Sequence, residues 1–320
     1  MEHRLTHSNI ATAALLLSTL VGALFAGPRH AFSEELPNGL GLPGLIWSNA
    51  VPASRAAPFR VGLQYGYGNY DPEGGINVDL GRADLRSQDL RLQLQVRAAR
   101  AVRLAASFPL RILSLEGGES VTGLGDIQGA MSVRVTQVGR TGIGLWGGLT
   151  IPSGEESKGL TTGKIDGEIG FMTQTRFFGG GYAPRTDLIF NIGYRFNKDE
   201  RDGYGWQAGE PSEVGGFFPI YPPVPSGGGN SENDQLLLRA ALQFRQRWGA
   251  IFLEWSADWF NFSNEVGVSE SPSWFTPGVV FGDGDGPSLR GSWSIGFAED
   301  NQRTEFEPRV PDWYAQVAVA

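Results

Sequence analysis

The sequence predicts an all-β chain, a transmembrane antiparallel up-and-down β-barrel of about 12 strands. Three observations carry that expectation. Apolar and polar residues alternate with period two along most of the chain. The connections between these runs alternate long and short. A segment of export type stands at the start of the 320 residues.

Composition agrees with the fold class. The chain holds 46 Gly and 11 % aromatic residues, with only 19 % charged residues. Glycine is about twice as frequent as in an average soluble domain. The absence of Cys excludes a disulfide framework, thiolate metal sites and a thiol nucleophile. Histidine occurs only as His3, His7 and His30. A net charge of −8 argues against nucleic acid, which needs a basic face.

The N-terminus has the layout of a secretory signal. Arg4 lies in a short polar stretch, an uncharged Ala/Leu-rich run covers Ile10–Ala26, and small residues follow up to Ser33. Residues 1–33 are therefore expected to be a signal peptide, cleaved between Ala26 and Ser33. The same run, read as an anchor helix, is at the low limit for spanning a bilayer. Residues 34–56 are expected to form a periplasmic N-terminal segment and 57–320 the barrel.

The elements follow in order. From Phe59 to Tyr67, apolar Phe59, Val61, Leu63, Tyr65 and Tyr67 alternate with Arg60, Gly62, Gln64 and Gly66. From Leu90 to Ala98, the apolar set Leu90, Leu92, Leu94, Val96 and Ala98 alternates with Arg91, Gln93, Gln95 and Arg97. A helix would scatter these sets around its circumference, whereas a strand puts them on opposite faces. The same period runs through Val102–Arg111, Ile127–Thr136, Gly142–Ile151 and Ile165–Gln174. It continues through Asp187–Asn197, Leu236–Arg245 and Ile251–Trp259. Weaker runs cover Trp274–Gly282, Leu289–Ala298 and Trp313–Ala320. Each is close to the length that crosses a bilayer when tilted.

The long connections are expected near 71–86, 113–124, 152–164, 198–233, 263–272 and 299–311. The short ones fall near 99–101, 138–140, 177–183, 246–248 and 283–287. Short turns on one side and long loops on the other are the asymmetry of an outer-membrane barrel, with both termini on the periplasmic, short-turn side. The signs of charge separate likewise. The long loops hold about 20 acidic residues and far fewer basic ones, whereas Arg clusters beside the short turns.

Alternation alone leaves two arrangements open. A soluble β-protein turns its apolar face inward, and a membrane barrel turns it to lipid. The export signal, the loop asymmetry and charges of both signs in mid-strand favour the second. The polar face then lines a lumen. Its expected charged residues are Arg91, Arg97, Arg103, Arg134, Asp166, Glu168, Asp187, Arg195, Arg239, Arg245, Glu254 and Asp258. The turn near Gln246–Trp248 sets an antiparallel register that places Arg239 opposite Ser256, diagonal to Glu254 and Asp258. Tyr65, Tyr67, Tyr194, Phe196, Trp259, Trp274 and Trp313 near strand ends suit interfacial aromatic belts.

Two Gly-rich motifs punctuate the first half. Gly123-Leu124-Gly125-Asp126-Ile127 opens one run, and Leu149-Thr150-Ile151-Pro152-Ser153-Gly154 closes the next, followed by Gly159, Gly163 and Asp166. Glycine permits tight bends and Pro152 suits a strand end, so these motifs shape the rim. Together with Asn191–Phe196 and Thr276-Pro277-Gly278, the pairing resembles a family of bacterial outer-membrane transporters named for the MetA pathway of phenol degradation. The resemblance implies a barrel that moves small, often aromatic, compounds. Outer-membrane barrels commonly end in an aromatic residue read during assembly, and this chain ends in Val-Ala-Val-Ala.

The expected function is thus a channel or transporter for small compounds, aromatic or hydrophobic ones among them. The alternative is a non-transporting barrel that binds a ligand or partner through its external loops. In the loop Lys198–Asn233, Trp206, Phe217, Phe218, Ile220 and Tyr221 form an apolar, Pro-stiffened stretch that suits a gate or a ligand contact. With His confined to the N-terminus, no Ser–His pair is available, and no catalytic residue, metal ligand or cofactor is expected. The expected partners are outer-membrane lipid and lipopolysaccharide, a small solute and the barrel-assembly machinery, and no nucleic acid.

Overall fold

The structure is a computed structural model, and it describes residues 38, 48–52, 58–70, 85–115, 120–154, 160, 165–177, 185–196, 234–246, 248–260, 273–282, 288–297 and 313–319. The signal-peptide expectation and the gate residues Trp206, Phe217, Phe218, Ile220 and Tyr221 lie outside them.

Every regular element described is a β-strand: β1 (Phe59–Tyr70), β2 (Leu85–Ala99), β3 (Val102–Leu115), β4 (Ser120–Leu124), β5 (Ile127–Val138), β6 (Thr141–Ile151), β7 (Asp166–Arg176), β8 (Arg185–Phe196), β9 (Gln235–Gln246), β10 (Gly249–Phe260), β11 (Ser273–Phe281), β12 (Leu289–Phe297) and β13 (Trp313–Val319). Apart from β4 and β5, neighbours in sequence pair antiparallel, and β1 pairs with β13, which closes the sheet. β4 and β5 are one stave in two pieces. Both pair with β3, β4 along Leu110–Ser114 and β5 along Val102–Ser107. The closed barrel therefore has twelve staves.

Pro109 accounts for the interruption. It has no N–H to donate to the ladder, and the break falls opposite it, at Gly125 and Asp126. The Gly125 N–H still donates to the Pro109 carbonyl at 2.9 Å. The two motifs then lock together across the break. The Ser153 hydroxyl donates to the Gly125 carbonyl at 2.9 Å and accepts from the Ile127 N–H at 3.0 Å. Asp126 Oδ1 accepts from the backbone N–H of Ser153 at 3.2 Å and of Gly154 at 3.4 Å. This knot replaces the missing ladder bonds, and it corrects the expected loop 113–124. β3 runs on to Leu115, and Ser120–Leu124 is strand.

Burial settles the orientation of the wall. Leu92 is 43 % exposed, and its neighbour Gln93 is 1 % exposed. The same inversion recurs around the barrel. Leu63, Leu104, Leu145, Ile192, Ile251 and Trp293 face outward, while Gln64, Arg103, Ser132, Asn191, Glu254 and Ser294 are buried. An aqueous exterior would not tolerate such an apolar girdle, which marks a lipid-facing surface. Outward aromatics meet near the ends of the staves, Tyr67 with Trp313 at the long-loop end and Trp248 with Phe281 at the short-turn end. Trp274 departs from the expected belt. It shares the inward phase of buried Thr276, and Phe275 beside it is exposed.

Candidate functional site: the lumen

The inward face of the staves is the candidate site. Ion pairs divide it by height. Toward the long loops, Arg195 bridges Glu168 at 3.2 Å and Asp258 at 3.0 Å, and Asp258 also meets Arg239 at 3.5 Å. On the opposite arc, Asp89 takes Arg111 at 3.2 Å, the Tyr314 hydroxyl at 3.1 Å and Arg91 at 3.7 Å. Toward the short turns, fully buried Asp187 gathers three guanidiniums: Arg185 and Arg245 at 2.9 Å and Arg176 at 3.8 Å. Charged hydrogen bonds of this kind are stronger than neutral ones and fix rotamers that would otherwise be mobile.

The lumen also has an apolar part. Trp146, Met172 and Leu237 form one buried cluster. Ile189, Ala241, Ala250, Phe252 and Val280 form another. Trp146 lies flat on the wall because the next two staves present glycine beneath it. A Cβ on Gly170 would sit 2.6 Å from the indole, and one on Gly193 would sit 2.7 Å from it. Across those glycines the Arg239 guanidinium lies 5.8 Å from the indole centroid, within cation–π range. Tyr314 uses the same device. A Cβ on Gly66 would meet its hydroxyl at 1.8 Å, so glycine there lets the phenol reach Asp89.

A stretch N-terminal to the barrel occupies the middle of the lumen. The Ser48 N–H and hydroxyl both donate to Glu254. The Asn49 N–H donates to Asn191 Oδ1 at 2.6 Å, and Asn191 Nδ2 donates back to the Asn49 carbonyl at 2.9 Å. Gln93 donates to the Asn38 carbonyl at 2.6 Å, and Asn38 donates to Asn49 Oδ1 at 2.7 Å. Ala50 packs on the Phe252 cluster and Val51 on the Trp146 cluster. Residues 34–56 are expected from sequence in the periplasm, and Asn38 and 48–52 of that stretch sit inside the barrel instead. The reason is chemical. Ser48 and Asn49 bring hydrogen-bonding groups to the buried carboxylate of Glu254 and the buried amide of Asn191.

The chain is similar in structure to an outer membrane channel from Pseudomonas putida F1, with a TM-score of 0.53 and 12 % identity over 87 % of this chain and 97 % of that one. The fold is that of an outer-membrane β-barrel. Weaker likenesses are to the Ralstonia pickettii toluene transporter TbuX, at a TM-score of 0.40 and 9 % identity over 94 % and 96 % of the two chains, and to the CymD monoaromatic hydrocarbon channel, at 0.42 and 10 % over 90 % and 96 %. No protein-family model matches the chain. No curated protein matches it in sequence.

All twelve charged residues expected on the outer-membrane barrel's inner face have the inward phase. The structure brings Glu168, Arg195, Arg239 and Asp258 into one network and places Ser256 opposite Arg239, as the turn requires. Asp187 and Arg245 meet across β8 and β9. Glu254 joins the N-terminal stretch, while Arg91 meets Asp89 and stands apart from the Glu168 network. Arg97, Arg103 and Arg134 lie at the short-turn end, and Asp166 lies opposite Thr150 near the long-loop rim. The inward Trp146, Leu237 and Phe252 were not expected. Their signal is an apolar residue standing in the polar phase of its own run.

Proposed function

We propose that this outer-membrane barrel is a channel for small compounds, aromatic or hydrophobic ones among them. The observation that carries the reading is the paired lining of the lumen, where buried apolar clusters around Trp146 and Phe252 stand beside hydrogen-bonding and charged side chains. Sites for small organic ligands combine these two features. The Pseudomonas putida F1 likeness supports a barrel of the channel kind and leaves the solute to the site chemistry. On this reading Ser48–Val51 is a removable constriction, held by hydrogen bonds and small apolar contacts rather than by a covalent link. Residues 1–33 act as the export signal and 57–320 as the barrel. Both termini lie on the periplasmic side, lipopolysaccharide contacts the outer leaflet around the long loops, and the barrel-assembly machinery inserts the chain. Kinship with the phenol-degradation transporter family is part of the same proposal. The test is liposome swelling with the purified barrel and a panel of monoaromatic and aliphatic solutes. Uptake of small aromatics at rates well above protein-free liposomes is expected, and rates equal to that control would overturn the reading.

One observation favours a second reading, a barrel that binds without transporting. The described N-terminal residues already fill hydrogen-bonding positions in mid-lumen. Unchanged, negligible swelling after deletion of 34–56 would favour it.

A further inference from the structure

One stretch of the inner wall, on β3, β5 and β6, joins a smooth apolar floor to polar atoms that have no partner among the described residues. Ala105 lies directly opposite Ala130, and Ala130 lies opposite Gly148. All three share the inward phase of buried Arg103, Ser132 and Trp146. Such small residues make a shallow trough, and Ala105 and Ala130 border the cluster of Trp146, Met172 and Leu237. Two residues toward the long loops, Ser107 stands opposite Gln128. Two residues toward the short turns, Ser132 stands opposite Trp146. Gln128 and Ser132 are four residues apart on β5, which separates the polar ends of the trough by about 13 Å. Glu168 on β7 leans across its side, so that a Cβ on Gly148 would meet Glu168 Oε1 at 3.0 Å.

Ser107 and Ser132 are each 0 % exposed, and neither hydroxyl has a hydrogen-bond partner among the described residues. Gln128 Oε1 and Glu168 Oε1 are buried in the same condition, while Glu168 Oε2 holds Arg195. Polar groups outside the trough are served. Gln93, opposite Ser107 on β2, holds the Asn38 carbonyl, and Asn191 holds Asn49. The described N-terminal residues thus bond to these groups and pass over the four atoms of the trough. Native interiors rarely bury a polar atom without a partner, and four around one apolar floor match the make-up of a small-ligand site. The amide and carboxylate oxygens can only accept, whereas the two hydroxyls can donate or accept, so the matching ligand must itself donate.

We propose that this trough binds a small, flat, uncharged molecule with a hydroxyl group at each end. Its ring lies on Ala105, Ala130 and Gly148. One hydroxyl accepts from Ser107 and donates to Gln128 Oε1. The other meets Ser132, with Glu168 Oε1 as a further acceptor at the side. No net charge is called for, because Arg195 neutralises Glu168 and the other three groups are neutral. This rests on the lumen being a solute path, and it adds to that reading the spacing and donor character of the solute's polar groups.

The test is equilibrium dialysis of the mature barrel, folded in detergent, against three probes, with micelles alone as the blank. 1,4-Benzenedimethanol has a hydroxyl at each end, its bis-methyl ether has the same ring and cannot donate, and benzyl alcohol has one hydroxyl. The diol is expected to bind about tenfold more tightly than either. A Ser107→Ala, Ser132→Ala double variant should weaken diol binding about tenfold. It should also leave the urea unfolding midpoint unchanged or raise it, since the hydroxyls removed make no bond in the folded barrel. Failure of this variant to fold, checked by heat-modifiable mobility, would assign the hydroxyls to the fold and overturn the proposal. So would wild-type affinity in the folded variant, or the ether or benzyl alcohol binding as tightly as the diol. Absence of diol binding to the wild type would leave these groups to ordered water and overturn it as well. Diol binding without solute flux would contradict the channel reading and leave this site standing, and flux without diol binding would do the reverse.

Discussion

The two ends of the lumen manage charge differently. At the long-loop end each buried guanidinium meets a carboxylate, as Arg195 does with Glu168 and Asp258, and Arg111 with Asp89. At the short-turn end Arg60, Arg97, Arg103 and Arg134 stand on an arc whose described strands carry no carboxylate at that height, and on the facing arc Asp187 draws in Arg176, Arg185 and Arg245 together. Balanced charge ties staves together and presents little net field to a solute. Charge of one sign presents a strong field, and in a narrow pore that selects the sign of what enters. The contrast separates a part of the lumen that holds the barrel's shape from a part suited to discriminating among solutes.

The largest effect expected from breaking this contrast is at Asp187. Asp187→Ala leaves three neighbouring guanidiniums without their shared anion, which should destabilise the barrel by about 3–5 kcal/mol. Urea unfolding in detergent, followed by tryptophan fluorescence, measures it. A loss under about 1 kcal/mol would mean that the lumen there is wet enough to hydrate the cations.

A charge on the outer face gives the next effect. Leu92→Arg places a cation at mid-stave toward lipid and should cost about 2–4 kcal/mol of stability in bilayers. Gln93 is its inward neighbour, and Gln93→Ala should cost about 1 kcal/mol through loss of its bond to the Asn38 carbonyl. Comparable costs for both would contradict the assignment of faces.

The third prediction sharpens the apolar arc. Gly170→Ala puts a methyl where the Trp146 indole lies, and should cost about 1–3 kcal/mol by displacing it. It should also lower the cation–π contact with Arg239, seen as a shift in tryptophan emission. An unchanged spectrum with unchanged stability would mean that the indole is free to leave the wall.

These comparisons show what was legible in the chain itself. Each stave with a strict period of two, such as Leu90–Ala98, reveals its inner and outer face from local pattern, because side chains on a strand have two sides only. The two-residue connection between β9 and β10 fixes register, so the position of Arg239 opposite Ser256 was readable as well. The division of one stave into β4 and β5 was not, since it depends on Pro109 in the neighbouring stave and on Ser153 beyond the next turn. The placement of Ser48–Val51 was hidden for a similar reason. Its contacts, Asn191 and Glu254, lie more than a hundred residues away, and no local periodicity encodes them. Trp146 was passed over because it interrupts a row of glycines in the polar phase of β6, where its true support is Gly170 and Gly193 on other staves.

The central claim, a solute-conducting lumen narrowed by the stretch before β1, is tested most directly by planar-bilayer recording of the mature barrel beside a form lacking residues 34–56. The account predicts discrete conductance steps from the mature barrel, larger steps from the truncated one, and a reversal potential in a KCl gradient that reports preference for chloride. Absence of conductance from both folded forms, or a preference for potassium, would contradict it.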